Sequence, residues 1–514
     1  MKKSIAILLL LSLMVSLLVM GCGQTPAEGG TPTDGGLQPG GKLPKYIFLF
    51  IGDGMSYPQI QVTNYYMTVQ ANGGEYPNPL QSQSNLSFMN FPVSGSAQTY
   101  DRSSFAPDSS STATAIATGN KTYSGYLNVG VNGFDKYETI AEKLKSQKDY
   151  KIGIVSSVNI NHATPGAFYA HQTSRTKYFH IGKELVKSGF DYFAGGAFLA
   201  PEPEPMSPEK DLYTQAAEAG YKVVKTQAEA AALKPGDGKA IVIAEHLVKT
   251  DMDFVDAMDY EIDRQEGEWA LADYVSKGIE MLDNENGFFM MVEGGKVDWA
   301  CHANDAATAI HEVIALDNAV KKAIEFYNQH PDETLIIVTG DHETGGISIG
   351  YAGTDYDTFL NNLDSQKVSY ATFNNDYVAK YRENKTDFNT VMADITALFG
   401  LTVPANFAGE PKDGSLELSE YEYGLLLAAY EKTINFGPDT ASDQKEELLY
   451  DKYEPLTVTV THILANKSGL NFSSYVHTGL PAAVFAIGAG AELFDGYYDN
   501  TDIFNKMKEL TSVQ

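Results

Sequence analysis

The sequence predicts a three-layer α/β fold in which helices cover both faces of a large, mostly parallel central sheet. From residue 45 onward, apolar runs alternate with polar or glycine-rich turns and helical patterns, as expected when each strand is followed by a helix. The runs show no polar–apolar alternation, which indicates strands buried on both faces. With 514 residues, 43% of them hydrophobic, the chain is long enough for one large domain with an insert.

Six apolar runs are strand candidates, and three segments carry a helical pattern. The strands are predicted at 46–51, 152–158, 241–244, 288–292, 335–338 and 482–487, and the helices at 137–146, 303–328 and 392–398. Between about 350 and 470 this order gives way to polar sequence rich in tyrosine and asparagine. We interpret that stretch as an insert of the folded domain, 44–514, that caps a site or contacts a partner.

The first residues predict export. Two lysines and an apolar run at 5–20 have the pattern of a signal peptide, residues 1–21. The segment 18–22 resembles a bacterial lipobox, in which Cys22 is acylated and anchors the protein to the cell envelope, on its periplasmic or extracellular face. The usual leucine is shifted one residue upstream, so release after cleavage at a nearby site is the alternative. Residues 22–43, rich in glycine, proline and threonine, are predicted to be a flexible tether.

Charge and cysteine content narrow the function classes. The formal net charge is −29, from 66 acidic and 37 Lys+Arg residues, and such a surface repels nucleic acid and anionic lipid. An anionic substrate would need locally concentrated positive charge, for which bound metal ions and one or two arginines are the expected sources. Cys22 and Cys301 are the only cysteines, so we expect no disulfide in the mature domain.

Side chains of the types that bind metals lie at the ends of four predicted strands. In an open α/β sheet the carboxyl ends of the strands meet at one crevice, so residues from distant segments would converge there. One aspartate at a strand end is usually a turn or cap residue, but four such ends are harder to explain in that way. The residues are Asp53, His162 with Thr164, Glu293, and Asp341 with His342.

Asp298 and His302 are four residues apart. If this segment is helical, they share one face and can bind the same ion. Taken singly, Asp298 could equally be a helix cap and His302 a hydrogen-bonded polar residue. Carboxylates and imidazoles without a set of thiolates favour zinc in a catalytic site.

The segment 107–119 contains the candidate nucleophile, Ser109. Small residues at nearly every position allow close packing of a helix whose N-terminus faces a ligand, where free N–H groups and the dipole favour a phosphate. A serine there can attack phosphorus if a metal lowers its pKa. The alternative is a solvated loop or a helix cap.

These motifs together resemble those of the alkaline phosphatase family, over about 45–351 and from 475 to the C-terminus. The resemblance implies two zinc ions and one magnesium ion beside a serine nucleophile. By motif, Ser109 after Asp108 is that nucleophile and Arg175 is the clamp for the substrate phosphate. The metal ligands implied are Asp298, His302 and His477 for the first zinc, Asp53, Asp341 and His342 for the second zinc, and Asp53, Thr164 and Glu293 for the magnesium.

Two positions differ from the enterobacterial form of the family, which has Asp and Lys where this chain has His162 and Trp299. Because imidazole is softer than carboxylate, Co²⁺ is an alternative to Mg²⁺ at the third site. Cys301 is interpreted as a packed small residue. The remaining histidines are interpreted as core or surface residues: His171, His180, His246, His311, His330 and His462.

The reaction implied by the resemblance is hydrolysis of phosphate monoesters through a phosphoserine intermediate. A sulfatase is disfavoured because no Pro and Arg follow Ser109 in the modification pattern, and a phosphodiesterase because Arg175 and a third metal suit a dianionic phosphoryl group. A surface lipoprotein that only binds phosphate or metal would explain the anchor and the acidity, but not the serine opposite eight ligands. Homodimerisation is left open.

Overall fold

A ten-stranded sheet forms the centre of the protein. The computed structural model describes residues 43–249, 256–407, 409, 411–435 and 443–514. The predicted signal peptide and all of the predicted tether except its last residue lie outside this part of the chain.

The strands and helices follow each other through the whole described chain. The strands are β1 (Tyr46–Gly52), β2 (Val93–Gln98), β3 (Lys151–Asn159), β4 (Tyr192–Gly196), β5 (Lys222–Val224), β6 (Ala240–Ile243), β7 (Leu247–Val248), β8 (Ala257–Met258), β9 (Phe288–Gly294), β10 (Thr334–Gly340), β11 (Glu343–Thr344), β12 (Ser348–Ile349), β13 (Leu470–Asn471), β14 (His477–Thr478), β15 (Ala482–Gly488) and β16 (Gly496–Asp499). The helices are α1 (Tyr57–Ala71), α2 (Ser109–Thr118), α3 (Ile140–Lys148), α4 (Ala163–Gly166), α5 (Tyr178–Ser188), α6 (Leu212–Glu218), α7 (Gln227–Ala232), α8 (Leu271–Leu282), α9 (Lys296–His302), α10 (Ala306–Tyr327), α11 (Tyr370–Thr372), α12 (Ala379–Asn384), α13 (Phe388–Phe399), α14 (Glu420–Asn435), α15 (Gln444–Tyr450), α16 (Pro455–Lys467) and α17 (Thr501–Thr511).

The central sheet has the strand order β16-β2-β15-β10-β1-β9-β3-β4-β6-β5. Strand β15 runs antiparallel to both of its neighbours, and the other pairs in this sheet are parallel. All six predicted strands belong to it. The predicted α/β fold with a mostly parallel sheet is therefore confirmed. Strands β2, β4, β5 and β16 were not predicted from the sequence, because they are short or rich in small residues.

Strand β1 shows why the sheet is covered on both faces. Its side chains alternate between two hydrophobic clusters: Phe48 and Phe50 pack in one, and Ile47 and Leu49 pack in the other. Every residue of the strand is buried. An apolar run without alternation is thus the sequence of a strand between two layers of helices.

Cap residues set the helix boundaries, which differ from those predicted. Helix α3 begins later than predicted, at Ile140, because Thr139 and Glu142 form a capping box. Helix α10 begins after Asp305, whose side chain accepts a hydrogen bond from the Thr308 N–H at 3.1 Å. Helix α13 begins four residues before the prediction, after the cap Asp387.

Between β12 and β13 the described residues form helices and contribute no strand to the central sheet. They build a third hydrophobic cluster, in which Ile395 and Leu426 pack with Ile310 of α10. That this stretch caps a site or contacts a partner stays a prediction. No helix in the described ranges has both the length and the apolar character needed to cross a membrane.

Candidate active site

Three neighbouring strands end at the same level of the sheet, and metal-binding side chains lie at these ends. The last residue of β1 pairs in register with the last residues of β9 and β10. Asp53 follows β1, Asp341 and His342 follow β10, and Glu293 is the penultimate residue of β9. All four side chains are buried. The predicted convergence of strand ends is therefore present in the structure.

The turn after β1 brings a helix against this edge of the sheet. Gly54 has φ +70°, and its N–H donates a hydrogen bond to Asp341 Oδ1 at 3.2 Å. A Cβ added to Gly54 would lie 2.8 Å from the Cα of Asp298 in α9. Glycine thus allows both the backbone conformation and the close approach of α9 to the turn.

Helix α9 and strand β14 supply a second group of donors. Asp298 and His302 lie one helical turn apart, with His302 Nε2 3.4 Å from Asp298 Oδ2. His477 is paired with Thr344 across β11 and β14, and its Nε2 lies 3.6 Å from Asp298 Oδ1. The Nε2 atoms of the two histidines are 3.1 Å apart.

The orientation of these two imidazoles fits a cation. His302 Nδ1 lies 2.5 Å from the Tyr475 carbonyl oxygen, and His477 Nδ1 lies 2.6 Å from the Pro107 carbonyl oxygen. A carbonyl accepts, so each Nδ1 must carry the proton, which in a neutral ring leaves the Nε2 lone pair facing the other histidine. Burial lowers the pKa of His477 to about 3, so that ring is neutral. Burial opposes the charge of His302, but the Asp298 carboxylate raises the pKa of that ring above the ordinary value. An Nδ1–H held by a carbonyl, with Nε2 turned toward other donor atoms, is typical of metal-binding histidines.

The strand-end carboxylates also fit cations. Burial raises the pKa of Glu293 and of Asp341 to about 7, and it raises the pKa of Asp53 well above its ordinary value. Glu293 Oε1 is buried and has no hydrogen-bond partner among the described residues. Buried carboxylates this close together need positive charge between them to ionise.

Donor atoms in the described chain form three groups, and the atoms of each group lie within 4.8 Å of one another. All but two of the predicted ligands belong to these groups. The exceptions are His302, which lies beside His477, and Thr164, whose Oγ1 donates to Asp53 Oδ2 at 3.2 Å. His162, which was predicted beside the third site and not as one of its ligands, is a member of the third group. The groups are Asp298, His342 and His477; Asp53, Asp341 and His342; and Asp53, His162 and Glu293.

Ser109 is the first residue of α2 and faces these donors. Its hydroxyl lies 3.3 Å from Asp53 Oδ1 and 3.1 Å from His342 Nε2. The helix is capped by Asp108, which accepts a hydrogen bond from the Ser111 N–H at 3.1 Å. All ten residues of α2 are buried, so the solvated-loop alternative is excluded.

Arg175 lines the same cavity as the donors. Its Nη1 donates to Asp108 Oδ2 at 3.0 Å, and its Nη2 lies 3.4 Å from His162 Nε2. Burial opposes the charge of Arg175, but the Asp108 carboxylate raises its pKa above the ordinary value. Arg175, Ser109 and His477 line a cavity of about 470 Å³, large enough for a phosphate ester.

His162 and Trp299 are neighbours on the wall of this cavity. Their rings are 5.8 Å apart and perpendicular. Burial, followed by the charge of Arg175, lowers the pKa of His162 to about 3, so its imidazole is neutral. The six histidines interpreted as core or surface residues lie outside the three donor groups.

Three hydroxyls that sequence reasoning missed orient the carboxylates. Thr112 donates to Asp341 Oδ2 at 3.2 Å, Thr344 donates to Asp298 Oδ1 at 2.5 Å, and Ser156 donates to Glu293. Thr112 and Ser156 lie within segments already singled out, whereas Thr344 lies in the unpredicted β11. A hydroxyl in a strand or helix carries no sequence signal of its partner.

The chain is similar to known proteins of one enzyme family. The family model for alkaline phosphatase matches residues 44–190 and 207–513. Alkaline phosphatase 4 of Bacillus subtilis (strain 168) is 28% identical over 469 residues, covering 89% of this chain and 87% of that protein. The alkaline phosphatase of Escherichia coli (strain K12) is 31% identical over 344 residues, covering 59% of this chain and 70% of that protein.

The solved structures include the cold-active alkaline phosphatase of the psychrophile Shewanella sp. It has a TM-score of 0.70 and 26% sequence identity, covering 91% of this chain and 100% of that one. The family model spans most of the chain, and the site residues lie within the matched segments. This chain belongs to the alkaline phosphatase family.

Proposed function

We propose that the chain hydrolyses phosphate monoesters in two displacements, through a phosphoserine at Ser109. Membership of the family makes it a phosphoric monoester hydrolase. The proposal concerns how its own residues perform that reaction. One observation carries it: the Ser109 hydroxyl lies at a helix N-terminus between Asp53 and His342, at 3.3 and 3.1 Å.

The proposed cofactors are two zinc ions and one magnesium ion. The mixed carboxylate and imidazole groups suit zinc, and the group around Glu293 and Thr164 is richer in oxygen, which suits magnesium. When bound, the ions would supply positive charge that lowers the pKa of the Ser109 hydroxyl and of water and that balances charge on the leaving oxygen. The proposed ligands are Asp298, His302 and His477; Asp53, Asp341 and His342; and Asp53, Thr164 and Glu293.

The protein residues then have separate roles. The Arg175 guanidinium would bind two phosphoryl oxygens, and Asp108 holds it in place from behind. Ser109 Oγ attacks phosphorus in line, its P–O bond forms, and the bond to the substrate alcohol breaks. The Ser109 hydroxyl gives up its proton and the alcohol departs with one, so the first displacement balances. Water then attacks phosphorus from the side the alcohol left, the bond to Ser109 Oγ breaks, a proton from the water restores the Ser109 hydroxyl, and phosphate is released.

Ser109→Ala tests the phosphoserine. We expect turnover of a chromogenic phosphate monoester to fall on the order of 10³-fold or more, because the attacking oxygen is lost. Metal content should not change, since no protein ligand is removed. Acid quenching followed by mass spectrometry should find phosphate on Ser109 in the parent and none on the variant. The exposed Ser146→Ala in α3 is the matched control.

Phosphate found on Ser110 or Ser111, or full activity in Ser109→Ala, would place the nucleophile elsewhere. Rates on a phosphate diester and on a sulfate ester, measured with the same protein, would separate the two alternative reactions. A faster rate on either would overturn the monoester assignment.

For location, the proposal is export by the signal peptide 1–21 and lipid anchoring at Cys22. The support is the sequence of segment 18–22. Cys22→Ser should move the protein from the membrane fraction to the soluble fraction, and globomycin should accumulate the uncleaved precursor. Membrane attachment that survives Cys22→Ser would favour another mode of attachment.

A further inference from the structure

We propose that His462 and Asn304 are positioning residues through which the insert fixes the relative placement of His302 and His477. The inference rests on the proposed function, because it assigns these two histidines to one metal ion. It also gives the insert a role, since the last helix of the insert, α16, supports the active site from behind.

Asn304 joins three segments. It lies between α9 and α10, is buried, and has φ +50°. Its Nδ2 donates to the carbonyl oxygen of Cys301 at 2.8 Å and to that of Ser474 at 3.0 Å. Its Oδ1 lies 2.7 Å from His462 Nε2. One side chain thus connects the end of α9, the loop before His477, and helix α16.

The Asn304 amide and His462 match each other as acceptor and donor. Burial lowers the pKa of His462 to about 4, so the ring is neutral. Because Asn304 Nδ2 is turned toward two carbonyls, its oxygen must face His462, and His462 Nε2 is then the donor. A reversed amide would place its oxygen against both carbonyls. The hydrogen bond from α16 therefore satisfies the Asn304 oxygen in the one orientation that also makes both carbonyl contacts.

The insert contacts the loop before His477 at a second residue, Tyr475. Its hydroxyl donates to the Leu449 carbonyl in α15, and its ring lies 5.7 Å from the His462 ring. Its carbonyl oxygen accepts from His302 Nδ1 at 2.5 Å. The loop that orients His302 is thus the loop that Asn304 holds, and it leads directly to His477.

The consequence for the site is geometric. Helix α9 carries His302, and strand β14, which directly follows the loop, carries His477. Neither element belongs to the central sheet. A shift of the loop relative to α9 changes the 3.1 Å separation of the two Nε2 atoms. Residues outside the ligand set that hold ligands in this way typically change metal affinity 10–100-fold when removed.

The test compares two substitutions of one residue. His462→Met removes the N–H, whereas His462→Gln keeps an N–H that reaches a similar position. The measurement is the rate of zinc release from the metal-loaded protein in excess chelator, followed with a zinc dye. We expect release about tenfold faster for His462→Met and near the parent rate for His462→Gln. His311→Met, at a largely buried histidine of α10 packed near Tyr66, is the control and should release zinc at the parent rate.

Asn304→Gly provides a second variant, because glycine tolerates the positive φ while all three side-chain contacts are lost. It should release zinc at least as fast as His462→Met, and kcat should fall more than KM changes. Parent-like zinc release in Asn304→Gly, or equal rates for His462→Met and His462→Gln, would overturn the inference. Zinc content that does not change in His302→Ala would instead contradict the metal assignment of the proposed function.

Discussion

The two halves of the proposed metal site are built in different ways. The strand-end half consists of Asp53, Glu293, Asp341 and His342, at most 1% exposed at the ends of adjacent strands. The helix–loop half consists of Asp298, His302 and His477 on α9 and β14, where the two histidine side chains are each 14% exposed.

The difference lies in what fixes the ligands. In the strand-end half, the in-register pairing of β1, β9 and β10 sets the ligand spacing, so disturbing it means disturbing the core. In the helix–loop half, hydrogen bonds to the carbonyls of Tyr475 and Pro107 set the ligand orientation. We therefore expect that no substitution of a strand-end ligand is tolerated, whereas the ligands of the helix–loop half can change position to some extent.

The largest expected effect comes from Asp53→Ala. Asp53 belongs to two of the three donor groups and lies beside Ser109, so kcat/KM should fall on the order of 10³-fold or more and excess metal should not restore it. His477→Ala should lose less activity and recover part of it with added zinc. The measurements are metal content and kcat/KM against zinc concentration, with the exposed Asp332→Ala as control. Equal losses of kcat/KM in the two variants, with equal recovery on adding zinc, would contradict the distinction between the halves.

A smaller effect concerns the pH dependence of the metal-free protein. The folded pKa of Glu293 and Asp341, about 7, exceeds the unfolded value, so the folded state binds more protons and is destabilised as pH rises through 7. The lowered pKa values of His162, His342 and His477 act in the opposite direction, and this opposing effect ends about one pH unit above 6.5, where the unfolded histidines have lost their protons.

Between pH 6.5 and 8 these two carboxyls should therefore lower the free energy of unfolding of the chelated protein by about 1 to 2 kcal/mol, and the three histidines should offset part of that fall. Urea unfolding at several pH values measures it. Glu293→Gln should reduce the slope, whereas the exposed Asp332→Asn should not. A slope that Glu293→Gln leaves intact would assign the pH dependence to other groups, such as His302, whose raised pKa acts with the same sign.

The smallest effect is expected from substituting His162 and Trp299, which lie near Arg175 and the third donor group. In His162→Asp with Trp299→Lys, a carboxylate replaces the softer imidazole, and an ammonium is added on the cavity wall. The double variant should prefer magnesium over cobalt and zinc more strongly and be inhibited severalfold more tightly by phosphate. Activating-metal profiles and phosphate inhibition constants of the double and single variants measure this. If both properties stay at the parent values, His162 and Trp299 do not influence the third metal.

The sequence predicted the strand-end half better than the helix–loop half. Apolar runs followed by Asp53, Glu293 and Asp341 are local patterns, and the geometry of parallel sheets brings such ends together. His477 lies in the two-residue β14, before β15 and not after a strand of the central sheet. The rule that sites gather at the carboxyl ends of strands therefore does not find it. Only the family resemblance pointed to it.

Contacts between distant segments had no sequence signal. The pairing of His462 with Asn304 spans 158 residues, and both residues are ordinary polar side chains when seen in the sequence alone. The unpredicted strands β4 and β16 contain glycines and tyrosines that are equally common in turns. These features depend on tertiary packing, which a window of neighbouring residues does not contain.

The packing of helix α2 limits which substitutions this protein can accept. Its ten residues are serine, threonine, alanine and a single isoleucine, and every one is buried. Most larger side chains there would overpack the core and displace Ser109 from its neighbours. Among natural variants we therefore expect exchanges of small residues for small residues along 109–118. New substrate preferences should then arise from the cavity wall, while the nucleophile helix changes slowly.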